Sequence, residues 1–247
     1  MPGVTHSVTL DGLAGRSIEV EADISGGLPR TVIVGLADVM VSEARDRCRS
    51  AIANSGRAWP DQRVTINLAP STLPKSGSHY DLAIALAVLA AQDVVPATCL
   101  TGAVFLGELA LDGRMRAIRG VLPVTLAAAE AGFDRIFVPE VNVAEAELVG
   151  SISVVGVRSL RQVVALLTGS DEPDDPPVPP LDEVGGASWT AADRLADLDL
   201  LDVAGQEDAR LAVVMAAAGG HHLLMTGPPG VGKTMLAQRL PALLPDL

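Results

Sequence analysis

Residues 227–234 have the sequence Gly227-Pro228-Pro229-Gly230-Val231-Gly232-Lys233-Thr234. They match in full the pattern of a phosphate-binding loop: a glycine, four variable residues, then Gly-Lys-Thr. The glycines let backbone N–H groups turn toward phosphate oxygens without a clash at Cβ. We therefore predict that these eight residues bind ATP. In that prediction Lys233 reaches the β and γ phosphates, and the Thr234 hydroxyl binds Mg²⁺.

The sequence on either side of this loop has the context that phosphate binding requires. The apolar run 222–226 is predicted to be a buried strand leading into the loop, and residues 233–243 are predicted to be a helix leaving it. Such a helix presents unpaired N–H groups and the positive end of its dipole to the phosphates. Upstream, residues 206–218 are predicted to form a helix that ends at Gly219-Gly220.

The first 168 residues alternate strand-like and helix-like patterns, which predicts an α/β fold. Asp112-Gly113 is a strong signal for a hairpin within residues 109–118. The predicted strands are 6–10, 17–21, 31–34, 63–68, 101–106, 135–138 and 152–155, and the predicted helices are 38–54, 81–91, 121–131, 142–148 and 160–167.

The net charge of −12 is concentrated between Asp171 and Asp208, where twelve acidic residues face one basic residue. The proline-rich start of this region can neither continue a helix nor pair as a strand, so we predict that it is extended and exposed. The predicted domains are therefore 1–168 and 199–247, joined by an acidic linker at 169–198. This charge distribution argues neither for nor against nucleic-acid binding by a folded surface.

Several protein classes are disfavoured by composition. Two cysteines, Cys48 and Cys99, are too few for a disulfide framework or a metal cage, and we predict that both are buried thiols. The first residues lack the pattern of a signal peptide, and no apolar run is long enough to cross a membrane. We expect a soluble, cytoplasmic protein.

Four stretches together resemble one family, the Mg-chelatase-like AAA+ ATPases of the YifB/ComM type: 31–56, 63–91, 107–132 and 204–245. The resemblance implies a bacterial ATPase that uses ATP and Mg²⁺, assembles as a homo-hexamer and processes DNA as a branch-migration motor. It also implies that residues 1–168 have the α+β fold of the Lon protease C-terminal domain, shared with the recombination protein RadA. An incomplete P-loop AAA+ α/β domain follows, in which residues 201–206 resemble the segment that packs against adenine.

The Lon-like domain raises the question of peptidase activity, which in Lon depends on a Ser–Lys dyad. Laid on the Lon pattern, the lysine position falls on Leu122 and the serine position falls on His79. Ser78 and Lys75 are close in sequence, but neither occupies the position that the resemblance requires. We predict that the chain is not a peptidase and that the domain serves assembly or DNA contact.

Basic residues and histidines give weaker signals. The arginine clusters 45/47/49 and 114/116/119 are predicted to be solvated faces, with contact to DNA phosphates or a neighbouring subunit as the alternative. No aromatic residue is interleaved with them to support stacking of single-stranded bases. The four histidines have no metal-ligand spacing.

Hydrolysis of ATP needs an acidic pair on a later strand and an arginine that offsets transition-state charge, and nothing after Thr234 supplies that strand. We therefore expect a fragment that is unable to hydrolyse ATP by itself. Residues 1–168 are expected to fold independently, whereas 199–247 lack packing partners. The alternatives are a magnesium chelatase subunit and a non-enzymatic interaction module with a vestigial phosphate loop.

Overall fold

A computed structural model describes residues 2–11, 14–35, 39–75, 77–180, 199–228 and 230–244. The chain divides into two compact units, Met1–Asp182 and Glu183–Leu247, and each is considered by itself. Pro229 of the predicted phosphate loop, Asp38 of the predicted first helix and residues 181–198 of the predicted linker lie outside the described residues.

The first unit contains one seven-stranded sheet, a two-stranded hairpin and six helices among its described residues. The strands are β1 (Gly3–Asp11), β2 (Ala14–Ser25), β3 (Arg30–Val34), β4 (Arg63–Ala69), β5 (Ala103–Phe105), β6 (Glu108–Leu109), β7 (Met115–Arg116), β8 (Arg135–Pro139) and β9 (Ser153–Val157). The helices are α1 (Val39–Asn54), α2 (Asp81–Ala91), α3 (Ala97–Leu100), α4 (Val121–Glu130), α5 (Val143–Ala146) and α6 (Leu160–Thr168), and short 3₁₀ turns flank α5.

The sheet has the order β3-β4-β2-β1-β5-β8-β9 and mixes both kinds of pairing. Strands β1, β5, β8 and β9 are parallel to one another, while β2 is antiparallel to both β1 and β4. Strand β3 pairs with β4 in parallel and forms one edge of the sheet. This arrangement confirms the predicted α/β fold class. Each predicted strand of this unit is present, with ends that move by up to four residues.

Both faces of the sheet are covered. Along β5, Val104 belongs to the cluster that contains α4, whereas Ala103 and Phe105 belong to the cluster that contains α1, α2 and α6. Successive residues of a strand point to opposite faces, so the two clusters lie on opposite sides of the sheet. The first unit therefore has three layers, with helices on either side of one sheet.

Helix α2 is the centre of the larger cluster. It was predicted to be buried because it is apolar nearly all round, and the structure confirms burial of every residue from Asp81 to Ala90. The helix approaches β1 very closely at Gly3, where an added Cβ would lie 2.0 Å from the Ala87 carbonyl oxygen. Only glycine permits this contact between backbones.

A buried ion pair fixes the beginning of α2. The Asp81 carboxylate accepts from Arg47 Nε at 2.7 Å and Nη2 at 3.0 Å, and from the Leu109 N–H at 3.1 Å. The pair connects α1, α2 and β6. The prediction that Arg47 lies outside with Arg45 and Arg49 is wrong, because Arg47 occupies the inward side of α1 beside the Asp81 carboxylate.

Most of the acidic, proline-rich segment after α6 is exposed, as its composition predicts, but two of its residues are buried. Residues 169–180, called the strap below, form neither helix nor strand, yet Asp175 and Val178 are each only 4% exposed. Val178 joins the larger hydrophobic cluster. Proline prevents regular pairing, but it does not prevent a carboxylate and an apolar side chain from docking on the first unit.

The Asp175 carboxylate is the main polar anchor of the strap. It accepts from Arg161 Nε at 2.8 Å and from the Ser159 hydroxyl, and the Asp175 carbonyl oxygen accepts from Arg158 Nη1 at 3.1 Å. The hydrogen bond from Arg161, followed by that from Ser159, lowers the pKa of Asp175. The compact part of the first unit therefore extends beyond the predicted boundary at residue 168.

The second unit contains α7 (Glu207–Gly219), α8 (Lys233–Ala237) and 3₁₀ turns at Leu200–Asp202 and Pro241–Leu243. The predicted strand at 222–226 is wrong, since these residues have no strand pairing and Leu224 is 87% exposed. A strand forms only beside a hydrogen-bonding neighbour, and no described segment pairs with this one. The helix predicted for 233–243 is also too long, because Pro241 has no N–H to donate to the Ala237 carbonyl.

Other sequence predictions have mixed outcomes. Helices α1, α4 and α6 agree with prediction within one residue at each described end, but α3 was missed because four residues are too few for a periodic signal. Cys48 is buried as predicted, whereas Cys99 is partly exposed. None of the described helices combines the length and hydrophobicity that a bilayer-spanning segment requires.

Burial raises the pKa of Asp81 to about 6, despite the hydrogen bonds from Arg47 and Leu109. Because the folded pKa is above the unfolded value of about 3.9, Asp81 favours folding at low pH, and this contribution falls by about 3 kcal/mol as pH rises through 6. We expect urea titrations at pH 4.5 and 7.5 to show about 2 kcal/mol of this fall in the wild-type chain, since part of it is already lost at pH 4.5. Asp81→Asn should lack it, and an equal fall in both chains would contradict the assignment.

The strap predicts a second measurable effect. Asp175→Asn should weaken the charge-assisted hydrogen bond from Arg161 and let the segment detach, so we expect the backbone amide hydrogens of residues 169–180 to exchange with solvent about tenfold faster. Asp171→Asn is the matched control, since it makes the same charge change on an exposed strap residue. Equal hydrogen-exchange rates in the two variants, measured by mass spectrometry, would show that Asp175 does not hold the strap.

Candidate nucleotide-binding site

The backbone of the predicted phosphate loop adopts conformations that favour glycine. Gly227, Gly230 and Gly232 have φ values of +153°, +84° and +87°. L-residues with a Cβ rarely adopt these angles, so the loop geometry explains why glycine is needed at all three positions. Helix α8 starts immediately afterwards at Lys233, as the motif predicts.

The side chain of Lys233 folds back over its own loop. Its Nζ donates hydrogen bonds to the carbonyl oxygens of Gly227 and Pro228, each at 2.7 Å. These bonds hold the ammonium group above the loop rather than in open solvent. These bonds place the ammonium group of the motif's only lysine beside the first two carbonyl groups of the loop.

Two further motif residues are accessible. Thr234 and Val231 are exposed, and Thr234 lies in the first turn of α8. A ligand can therefore approach the loop and the hydroxyl together.

The segment 201–206, which resembles an adenine-packing segment, contacts the loop through its last residue, Gln206. Gln206 Nε2 donates to the Val231 carbonyl oxygen at 3.2 Å, and Arg239 Nε donates to the Asp199 carbonyl oxygen at 2.9 Å. The positive φ of Gln206, +52°, turns the chain from this segment into α7.

The hydrophobic packing of this unit is thin. Leu200, Val203, Val213 and Leu236 form its buried cluster. Large apolar side chains remain outside, with Leu201, Leu211, Met215 and Leu224 all more than half exposed. The sequence-based expectation that 199–247 is poorly stabilised alone agrees with this exposure, and it stays a prediction about stability.

The residues considered for a peptidase dyad do not form a hydrogen-bonded Ser–Lys pair. Lys75 is buried and its Nζ donates to the Pro70 carbonyl oxygen, while the Ser78 hydroxyl donates to the Glu108 carboxylate. His79 contacts the Val8 carbonyl oxygen through Nε2 at 3.0 Å. Ser78 is thus hydrogen-bonded to an acid instead of to a lysine that would activate it.

The two arginine clusters have different surroundings in the structure. Arg114 pairs with Asp112 at 2.7 Å and Arg116 lies 3.5 Å from Glu108, so the second cluster is largely neutralised by its neighbours. In the first cluster Arg47 turns inward to Asp81, which leaves Arg45 and Arg49 on the outer side of α1.

Metal-ligating side chains are dispersed. Across the described ranges, no group of three or more His, Cys, Asp or Glu side chains is arranged to hold a metal ion. His6 approaches Glu19 at 3.7 Å, and His221 and His222 are exposed.

Comparison with known proteins places the chain in a family. A family model described as subunit ChlI of Mg-chelatase matches residues 20–142, and one described as magnesium chelatase, subunit ChlI, matches residues 199–247. These two matches cover the central part of the first unit and the whole of the predicted nucleotide-binding region.

Curated relatives match nearly the whole chain. An uncharacterized protein of Mycobacterium tuberculosis is 51% identical, YifB of Escherichia coli is 42% identical and competence protein ComM of Haemophilus influenzae is 39% identical, each over 99% of this chain. The chain spans about half the length of these relatives, 46–47%. Lon protease of Mycolicibacterium smegmatis is a more distant match, 26% identical over 70% of this chain.

The likeness to Lon agrees with the resemblance predicted for the first domain. The matches to YifB and ComM extend through both units, and the two family models agree with them. The chain belongs to the Mg-chelatase-like family that includes YifB and ComM.

Proposed function

We propose that this chain carries the ATP-binding loop of an ATP-driven motor that processes DNA. The observation that carries the proposal is the loop itself, in which three glycines with positive φ precede Lys233 at the start of a helix. Such a loop turns backbone N–H groups toward a polyphosphate, and the lysine adds a mobile positive charge.

In this proposal Gly227, Pro228, Pro229, Gly230, Val231 and Gly232 form the cradle for the phosphates. Lys233 exchanges its two carbonyl acceptors for the β and γ phosphate oxygens, and the Thr234 hydroxyl binds Mg²⁺. Because the Lys233 ammonium group already lies over the loop, this exchange begins with a rotation of its side chain.

The adenine end of the nucleotide is proposed to meet the segment 201–206. The Gln206 amide donates to the Val231 carbonyl oxygen, so this end of the segment lies beside the loop. Leu201 of the same segment is exposed and offers an apolar surface, as a base needs.

The DNA-processing role comes from the family. The YifB/ComM relatives match through both units, and one of them is named as a competence protein. The proposed whole protein is a cytoplasmic homo-hexamer that uses ATP and Mg²⁺. Hydrolysis is assigned to that assembly, since an acidic strand and a charge-offsetting arginine must complete the site.

A magnesium chelatase subunit is the second candidate. Chelatase ATPase subunits generally begin at the AAA+ module, so a Lon-like domain ahead of that module would argue against this candidate. Residues 20–142 of the first unit nevertheless match a model described as subunit ChlI of Mg-chelatase. The presence of this unit therefore does not separate the two candidates, whereas DNA-stimulated ATP turnover by the full-length protein would favour the motor.

Lys233→Ala should weaken ATP binding by the 247-residue chain about tenfold or more, because it removes charge-assisted hydrogen bonds to the phosphates. Titration calorimetry with ATP and Mg²⁺ measures the change. Arg119→Ala, which removes an exposed charge of the first unit, is the control and should bind like wild type. Equal affinity of Lys233→Ala and wild type, or no binding by wild type at millimolar ATP, would refute the proposal and favour a vestigial loop.

The role of Thr234 has its own test. Thr234→Ala should lose the gain in affinity that Mg²⁺ gives, while Thr234→Ser keeps the hydroxyl and should retain it. Comparing ATP titrations in Mg²⁺ and in EDTA isolates this effect. If Thr234→Ala responds to Mg²⁺ as strongly as Thr234→Ser, the hydroxyl does not hold the metal.

A further inference from the structure

A groove in the first unit brings together residues that are far apart in the sequence. It has a volume of about 480 Å³ and lies between the start of β3, the outer side of α1 and the loop before β4. Arg30, Arg45 and Arg49 line it together with Trp59, and two aspartates, Asp46 and Asp61, complete its charged lining. Its volume lies in the range of sites that accept small molecules or parts of larger ones.

In the described part of the chain, two of the three arginines have unpaired guanidinium groups, although, besides the hydrogen bond from Arg45, the charge of Arg49 helps to lower the pKa of Asp46. Among the described residues, no side chain or carbonyl forms a hydrogen bond or ion pair with the guanidinium of Arg30 or Arg49. Arg45 differs, because its Nε and Nη2 donate to the Asp46 carboxylate at 2.9 and 2.8 Å. One aspartate is therefore neutralised within the groove, and Arg30 and Arg49 keep free donors.

The edge of the sheet adds positive charge beside the groove. Arg30 of β3 is the register partner of Arg63 on β4, and both are exposed. Like charges on paired strand positions repel one another. No ion pair within the described residues involves either arginine, so both guanidinium groups can contact an anion.

Trp59 gives the groove an aromatic wall. Its ring is partly buried against the larger hydrophobic cluster, and the remaining surface faces the groove. The packing holds the ring in place while leaving part of it accessible. An aromatic side chain placed this way stacks on any nucleobase, because every base has a π face.

We infer that this groove binds single-stranded nucleic acid, with phosphates at Arg30 and Arg49 and a base stacked on Trp59. A guanidinium donates two parallel hydrogen bonds to a phosphate, which makes arginine suited to this contact. The sequence did not indicate this site for two reasons. Arg47 turns inward, and Trp59 lies outside the arginine cluster at 45/47/49, which contains no aromatic residue. The groove lies in the first unit and its binding needs no nucleotide, so it goes beyond the function proposed for the loop.

The experiment measures anisotropy of a dye-labelled oligo(dT) titrated with the 247-residue chain in the absence of ATP. Two phosphate contacts predict that affinity falls about sevenfold between about 50 and 200 mM salt. The double variant Arg30→Gln/Arg49→Gln should bind at least tenfold more weakly and lose most of this salt dependence. The control Arg16→Gln/Arg119→Gln makes the same charge change outside the groove and should bind like wild type.

Stacking is tested at Trp59. Trp59→Leu should weaken binding about tenfold, whereas Trp59→Phe keeps an aromatic face and should lose much less. Urea unfolding of both variants shows whether they are folded.

Asp61→Asn removes a negative charge from the groove and should raise affinity two- to threefold, a gain that misfolding cannot produce. It therefore keeps the inference falsifiable even if a Trp59 variant fails to fold.

Three results would overturn the inference: no binding by wild type, equal loss in the groove and control double variants, or duplex DNA binding as tightly as oligo(dT). Lys233→Ala should bind oligo(dT) like wild type. A negative result for the groove would therefore not count against the proposed ATP site, and a negative result for the ATP site would not count against the groove.

Discussion

Ten successive residues of α2 are buried, so no side of this helix faces water. Enclosing it requires small residues where backbones meet, and Gly3 of β1 supplies the closest approach. Enclosure also places the Asp81 carboxylate in the interior, where an unpaired charge would be strongly unfavourable. Arg47 and the Leu109 N–H satisfy it, and this requirement turns one arginine of α1 inward. As a consequence, Arg45 and Arg49 remain on the outer surface of α1.

Much of the first unit could be predicted from local patterns. Alternation of apolar and polar residues identified its strands, and α2 was recognised from its continuous apolar run. The strap could not be predicted in the same way, because composition indicated only that residues 169–180 avoid helix and strand. The burial of Asp175 depends on Arg161 and Ser159, whose side chains meet its carboxylate only in the packed structure. A local signal contains no information about such a contact.

In the second unit, the local sequence pattern predicts a strand that the structure does not contain. Residues 222–226 have the composition of a buried strand, but a strand is a property of a pair, and the described residues contain no partner for it. The loop that follows depends on different physics. Glycine conformations and local hydrogen bonds shape it, and these need no sheet. The motif therefore predicted the helix start at Lys233 correctly while the strand before it was wrong.

The positively charged side chains of the two proposed sites differ in the hydrogen-bond partners that they have before a ligand binds. Lys233 is held by two carbonyl oxygens, so a phosphate must compete with acceptors that are already in place. Arg30 and Arg49 have no described acceptors, so a phosphate reaching them displaces only water. A site of the first kind keeps its lysine ordered between binding events and selects ligands that supply several oxygens at once. A site of the second kind binds weakly and without sequence preference, as a surface that must release each nucleotide of a moving strand requires.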